Sequence, residues 1–408
     1  MYSDPFDHGE FRDTTSWALL LAAIAGLIAR FVCVANSWGT DDVDLWWRYA
    51  ETIHYHGIFE IYQRESTFHY PLLTALLIHG AYIMSELTGF SFPLLLRIPG
   101  ALTDCALTVL LYRLLSPYGF RTAAWGAAAY GASLLAILVS GYHGAIEPTY
   151  VFLTFAAFVL LEARGRPAMA GIVLGVACNI KLLPLLFLPA LLTGCRSLKD
   201  ALVLALGAVI GLVPLFYGAW QLGPIFMNQV LFFEPGNSDW NAELLLEPLA
   251  ALWSTSGQWK EHLLHYHALL GRSILVACLA AFALRELIRP VRTPIHVAAI
   301  SFCLFSLLAP GFVTEYALIG AAFFAATMPG AALLYGATAG VWAATAYWNF
   351  AISTEPWRSV HTGTPAWSTT LLGVATWCCT AYLLYRLWRS EDLHQQAKAP
   401  FFADEDFM

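Results

Sequence analysis

A chain of 408 residues that is 59% hydrophobic and only 12% charged departs from soluble domains, in which roughly 25% of residues are charged. Its mean hydropathy is +0.62, and apolar runs recur from end to end with no polar stretch long enough for a soluble domain. Basic clusters are absent, which excludes a nucleic-acid partner; the net charge of −7 is segregated by loop and says little else about partners.

The first apolar run, 17–36, lacks a basic start and a small-residue cleavage site, so it reads as an uncleaved span and not as a signal peptide. After it comes Gly39-Thr40-Asp41-Asp42-Val43-Asp44-Leu45-Trp46-Trp47-Arg48-Tyr49-Ala50. Val43, Trp46, Trp47, Ala50 and Ile53 fall on one helical face with Asp44, Arg48 and Glu51 opposite. That is the pattern of an amphipathic helix lying in the plane of the membrane interface. Phe68-His69-Tyr70-Pro71-Leu72 follows. Segment 71–84 is apolar but only about fourteen residues long, which suits an interfacial or re-entrant helix better than a span. Further spans are predicted at 93–114, 122–140, 148–161, 168–181, 182–194, 198–220, 269–287, 295–309, 312–328, 331–350 and 367–387. The expected fold is therefore all-α, a polytopic membrane bundle of about 12 transmembrane helices (about 11 to 13). It forms one domain over 1–390, with a polar tail at 391–408. No internal repeat is visible.

Charge sets the expected orientation. With a cytoplasmic N-terminus and 71–84 not crossing, the inside loops hold Arg113, Arg121, Arg164, Arg166, Arg196, Lys199, Arg285, Arg289, Arg292, Arg386, Arg389 and Lys398. The outside loops proper hold only Arg48, Arg64, Lys260 and Arg358, the positive-inside asymmetry. Making 71–84 a span requires an outside N-terminus and puts the acidic loop in the cytoplasm. The favoured topology leaves two long external segments, 37–92 and 221–268, rich in acids, aromatics and histidines, and a cytoplasmic C-terminus. All eight cysteines lie in or at the edges of apolar segments, which speaks against loop disulfides and metal-binding CxxC pairs.

Charged groups in a bilayer protein are costly and mostly functional, so Asp41, Asp42 and Asp44 form the first site hypothesis. Two readings stand: a helix cap with first-turn acids favoured by the dipole, or a carboxylate base whose neighbour orients an acceptor or a metal ion. In the second, Asp42-Val43-Asp44 is a DxD.

The order of features resembles the GT-C superfamily of multi-pass glycosyltransferases, which use polyprenyl-phosphate-linked sugars on the external or lumenal face. Those enzymes carry DxD or DxE in the first external loop, then an interfacial helix, then a Tyr-Pro-Pro-Leu-like motif. His69-Tyr70-Pro71-Leu72 matches the last, with Leu72 in place of the second proline. Ala101-Leu102-Thr103-Asp104 resembles the intramembrane acid, and Gly141-Tyr142-His143-Gly144-Ala145-Ile146-Glu147 the His-Gly-x-x-Gln/Asp turn. Asn179-Ile180-Lys181-Leu182-Leu183-Pro184 and Ala309-Pro310-Gly311-Phe312-Val313-Thr314-Glu315-Tyr316 resemble the Lys-Pro and Pro-Gly-Phe-x-x-Gln-Tyr elements, Glu315 standing for the glutamine.

Independently of the family, the charge-derived topology puts Asp42, His69, His143, Glu147, Lys181, Arg272 and Glu315 at external membrane ends. A lipid phosphate at that depth calls for Lys or Arg. Lys181 and Arg272 are the first candidates, with Arg97 and Arg30 behind them; the alternative for each is a snorkelling side chain. His143 and Glu147 read as acceptor- or sugar-contacting groups, while His69, Tyr70, Glu315 and Tyr316 join the substrate-binding set. Asp104 reads as a structural interhelical group. A divalent cation (Mg or Mn) is a possible cofactor; Glu261, His262, His265 and His267 lack regular ligand spacing.

The expected function is transfer of a hexose of the mannose or glucose class, with inversion, from a polyprenyl-phosphate donor to a hydroxyl of a glycan, glycolipid or protein. The expected setting is the bacterial inner membrane, with the site facing the periplasm. A nucleotide-sugar donor is disfavoured, because no strand–Gly-rich–helix unit is present. The rival is a transporter or lipid-linked-sugar flippase, against which stand the one-sided charges and the missing repeat.

Overall fold

The computed structural model describes residues 14–231, 258–351 and 367–389, and every regular element among them is helical. Along the chain, α1 (Thr14–Asn36) leads to α2 (Asp41–His56), the single turn α3 (Ile61–Arg64), α4 (Leu72–Thr88) and α5 (Phe92–Leu115). Then come α6 (Phe120–Gly131), the short α7 (Leu134–Ile137) continued by a π turn (Leu138–His143), α8 (Glu147–Glu162), α9 (Pro167–Cys178) and α10 (Leu188–Leu192). They are followed by α11 (Leu198–Gly211), α12 (Val213–Leu222) and the turn α13 (Pro224–Phe226). Beyond residue 257 lie α14 (Gln258–Ile288), α15 (Pro294–Leu308), α16 (Ala317–Thr327), α17 (Pro329–Ala351) and α18 (Trp367–Arg389).

Two stretches, Thr14–Asn36 and Phe92–Tyr118, are long and apolar enough to cross a bilayer. Leu21, Ile24, Ile28 and Val32 on α1 all point outward and are exposed, an apolar face suited to lipid and not to water. The protein is a membrane protein. Two predicted spans turn out to be bent pairs: Phe120–Gly131 with Leu134–His143 at 46°, and Leu198–Gly211 with Val213–Leu222 at 49°. The predicted span 182–194 is a 3-10 turn, Leu183–Phe187, running into α10; Pro184 sits in its first turn, where a missing N–H costs nothing. Segment 71–84 is α4, one of the shorter apolar helices, packed against α2 and α5.

The first bend has a visible cause. Where α6 stops, Arg30 from α1 donates to the carbonyls of Tyr130 and Gly131, at 3.3 and 2.6 Å, and the Tyr130 carbonyl also accepts from the Ser133 N–H at 3.1 Å. In hydrocarbon such groups need protein partners. The guanidinium is balanced by Asp104 of α5 at 3.2 Å, whose other oxygen accepts from the Tyr130 hydroxyl at 2.5 Å. Asp104 is thus an interhelical clamp, as expected. Elsewhere α9 and α11 meet backbone to backbone: a Cβ on Gly171 would lie 2.0 Å from the Leu204 carbonyl, and one on Gly211 2.3 Å from that of Ile172. The paired Gly171-x-x-x-Gly175 and Gly207-x-x-x-Gly211 spacings make this approach possible.

Helix α2 differs from expectation in where its apolar face goes. Val43, Trp46, Tyr49, Ala50 and Ile53 are all buried in the protein. Trp47 is half-buried, edge-on to Tyr82 and Phe92 at 5.7 and 5.2 Å. The face predicted to seek the membrane interface packs on α4 and its neighbours, because aromatic edges there offer a better-matched surface.

The buried Arg30–Asp104 pair gives a stability test. Asp104→Leu leaves a buried guanidinium unpaired, and denaturant unfolding in detergent is expected to show a loss of about 3–5 kcal/mol. Arg30→Met added to Asp104→Leu should recover much of it. Equal destabilisation by the single and the double change would show that the pair is not what holds α1 to α5.

Candidate active site

Two polar centres lie side by side at one end of the bundle. In the first, Thr40 occupies the position that caps α2, yet its hydroxyl turns away from that helix. It lies 2.7 Å from His143 Nδ1 and donates to the His143 carbonyl at 3.0 Å. The other ring nitrogen, Nε2, sits 3.2 Å from Asp42 Oδ2 and 2.8 Å from Glu315 Oε1. Ionised carboxylates only accept, so Nε2 donates. Tyr347 of α17 stacks flat on the imidazole, with ring centroids 4.4 Å apart and planes at 13°. Its hydroxyl donates to Glu315 at 3.4 Å. Burial pushes the Glu315 carboxyl up, but the charge and hydrogen bond of His143 outweigh it and hold the group below the usual range. Of the two carboxylates on His143, the Asp42 side chain is 43% exposed and that of Glu315 16%. Asp42 is the one an incoming molecule can reach.

This geometry depends on a turn at Gly144. Its φ is 88°, and a Cβ there would lie 2.5 Å from Val43 Cγ2. The first turn of α2 docks on the π turn because residue 144 has no side chain. Within α2, Asp42 and Asp44 part company. Residues two apart on a helix do not share a face, and Asp44 accepts from the Trp38 indole at 2.9 Å. The two carboxylates of the DxD thus take different partners, Asp42 on His143 and Asp44 on Trp38. Asp41 is half-buried in the same turn.

In the second centre, Lys181 Nζ lies 2.6 Å from Glu147 Oε1, with both side chains largely buried. The ring centroids of Tyr316 and Tyr70 are 4.6 and 5.4 Å from the ammonium, cation–π distances. Burial works against the charge on Lys181, but Glu147, then Tyr316 and Tyr70, hold its pKa well above the ordinary lysine value. The loop carrying Lys181 is pinned on both sides. Asn179 donates to the carbonyls of Gly175 and Gly211, and Thr74 of α4 donates to that of Ile180. Tyr70 is set by the Tyr62 hydroxyl, which donates to its carbonyl at 2.9 Å, and by Trp46, 4.7 Å away ring to ring. His69 stacks on Tyr70, and burial together with the charge of Lys181 lowers its pKa to about 4.

The two centres are joined by very short stretches of chain. His143 belongs to the first and Glu147 to the second; Glu315 belongs to the first and the next residue, Tyr316, to the second. Asp42, His69, Tyr70, His143, Glu147, Lys181, Glu315 and Tyr316 are therefore brought together, as the sequence suggested. Glu147 is buried on Lys181. Arg272 stands exposed on α14. Arg97 and Arg30, the reserve cations, are buried on backbone carbonyls. Sequence reasoning misses Thr40, Tyr150 and Tyr347 as site residues: Thr40 reads there as a loop residue before the acids, and the two tyrosines lie in apolar runs and read as core. The side chains of Glu261, His262, His265 and His267, like most of segment 221–268 and the tail 391–408, lie outside the described residues. Among the described residues, no three His, Cys, Asp or Glu side chains are grouped to hold a metal ion.

A half-exposed carboxylate steadied by a histidine, beside a caged and fixed cation, suits transfer of a group from an anionic leaving group to a hydroxyl. A family model, glycosyltransferase family 87, matches residues 68–311, more than half of the chain. The chain belongs to that family. It is a membrane glycosyltransferase. The match takes in His69, Tyr70, His143, Glu147, Lys181 and Arg272; the acidic loop precedes it, and Glu315 and Tyr316 follow it. No curated protein matches the chain. Family membership lends nothing to the transporter or flippase reading.

The cage makes a measurable statement about His69. Its ring stays neutral through the physiological range, so an NMR titration should place its midpoint at about 4, against an ordinary 6.5. Lys181→Gln removes a neighbouring positive charge, which favours protonation and moves the midpoint up. A midpoint near 6.5 in the unaltered protein would mean that His69 lies outside the influence of the cage.

Proposed function

We propose that the protein transfers one hexose, of the mannose or glucose class, from a polyprenyl-phosphate carrier to an acceptor hydroxyl of a glycan, glycolipid or protein. The reaction takes place at the periplasmic face of a bacterial inner membrane, in a GT-C-like bundle of about 12 spans. The observation that carries this reading is the adjacency of the two centres: half-exposed Asp42 on His143, and Lys181 caged by Tyr70 and Tyr316.

In this reading Asp42 accepts the proton of the acceptor hydroxyl while the acceptor oxygen bonds to the anomeric carbon. The bond from that carbon to the phosphate oxygen breaks, and its electron pair leaves on the lipid phosphate. One direct displacement with no second carboxylate as nucleophile inverts the anomeric centre. The departing phosphate needs no proton, because Lys181 stabilises it as an anion. His143 holds the Asp42 carboxylate in place, and Glu315 and Tyr347 hold His143.

Asp42→Asn keeps the side-chain shape and removes the base. The variant should fold and insert normally while transfer falls by about 10²–10⁴-fold. Asp41→Asn and Asp44→Asn should be milder, Asp44 being engaged with Trp38. Full activity in the Asp42 variant would sink the mechanism. Sidedness is tested by single cysteines read with an impermeant thiol reagent: a cysteine at Gln63 should react from outside and one at Gly165 should not, and the reverse pattern would put the chemistry in the cytoplasm. Lys181→Gln should raise the donor KM more than the acceptor KM, by the equivalent of about 1.5–3 kcal/mol for a charge-assisted contact.

A further inference from the structure

The ion pair between Lys181 and Glu147 poses a difficulty for any anion that is to use Lys181. At 2.6 Å, with the two side chains 13% and 5% exposed, the pair is neutral and largely sealed from water. A phosphate brought up to it adds a negative charge beside a carboxylate, and like charges sharing one buried site disfavour each other strongly. The cation is offered to a ligand only when the carboxylate gives way.

A second observation concerns a hydroxyl near the pair. Tyr150, one helical turn beyond Glu147 on α8, has a fully buried hydroxyl with no hydrogen-bond partner. Buried polar groups are nearly always paired, and an exception asks for a reason. Residues three apart on a helix are neighbours, and side chains lean toward the helix N-terminus, here toward Glu147. Glu147 and Lys181 are the first two charges that act on the Tyr150 hydroxyl. It is a donor held in reserve beside an anion that already has a partner.

We propose that Glu147 is a displaceable counter-ion: the donor's phosphate takes its place on Lys181, and the Tyr150 hydroxyl receives the displaced carboxylate. This rests on the reading above in which Lys181 takes the lipid phosphate. Without donor, Glu147 keeps the lysine charged and the cage of Tyr70 and Tyr316 closed; with donor, one anion is exchanged for another and no buried charge is left alone. Glu147 and Tyr150 are positioning residues here, since neither touches the reacting atoms.

The test is the dissociation constant of a short-chain polyprenyl phosphate, a probe without sugar, measured calorimetrically on the full-length protein in detergent. Glu147→Gln removes the competing charge and should bind the probe on the order of tenfold tighter. Tyr150→Phe removes only the reserve donor and should weaken binding several-fold in the unaltered protein, yet have no effect in the Glu147→Gln background, a non-additive cycle. Should Glu147→Gln not fold, Glu147→Asp serves: its shorter side chain holds Lys181 less closely and should also bind more tightly. Weaker or unchanged binding in these Glu147 variants would overturn the proposal, as would a Tyr150→Phe effect of equal size in both backgrounds, which would put that hydroxyl on the phosphate itself. The underlying reading fails separately, and the proposal with it, if Lys181→Gln binds the probe as the unaltered protein does.

Discussion

The arrangement of the active end depends on Arg97, a guanidinium buried to 1% exposure in the first turns of α5. Among the described residues it forms no ion pair; its N–H groups go to the protein backbone and one hydroxyl. Nη2 reaches the carbonyls of Val34 and Ser37 where α1 ends, and Nη1 those of Gly141 and Tyr142 where the π turn ends. The Ser37 hydroxyl and the Pro93 carbonyl take the rest. Helix C-termini present unpaired carbonyls and partial negative charge, so one planar, permanently charged fork satisfies two of them together. The chain leaving α1 is thereby fixed against the chain leaving the π turn. A few residues on from each fixed point stand Thr40 and Asp42 on one strand of chain and His143 on the other, already facing.

From that junction the rest of the site follows with little freedom. His143 bridges Asp42 and Glu315, and the residues next along the chain, Tyr316 and Glu147, belong to the lysine cage. Neighbouring Cα atoms are about 3.8 Å apart, so a movement of the Glu315 turn toward or away from His143 also moves a ring on Lys181. Asp42 and Lys181 are thereby mechanically linked, which the proposed transfer, with both acting on one sugar, would require.

Away from the site, the same medium is handled differently. Arg30 and Asp104 cancel each other deep in the bundle while repairing the break between α6 and α7. Glycine pairs let α9 and α11 approach without polar groups at all. These devices hold helices together and leave nothing to react. In the two centres the polar groups are half-open, as with Asp42, or closed on a charged partner, as with Lys181 on Glu147. Burial separates the two kinds of polar group more clearly than residue type does.

Much of this was legible in the sequence, for a definite reason. In a chain so apolar, Asp42, His69, His143, Glu147, Lys181 and Glu315 stand out at the ends of hydrophobic runs, and the charge-derived topology already puts them on one side. Helical structure and most element positions followed from the apolar runs, because a chain in lipid must satisfy its backbone within each segment. Partner choice was not legible. Charge and order alone cannot say that Glu147 closes on Lys181, that Asp44 turns to Trp38 while Asp42 turns to His143, or that Arg97 goes to backbone carbonyls. Nor can they pick out Tyr347 or Tyr150 from other aromatic residues in apolar helices. Those outcomes depend on distances of a few ångströms between segments far apart in the chain. The sequence determined which groups had to be paid attention at the membrane ends; only the packing of the helices decided which of them meet, since in a low-dielectric interior each polar group must find whichever partner the backbone brings within reach.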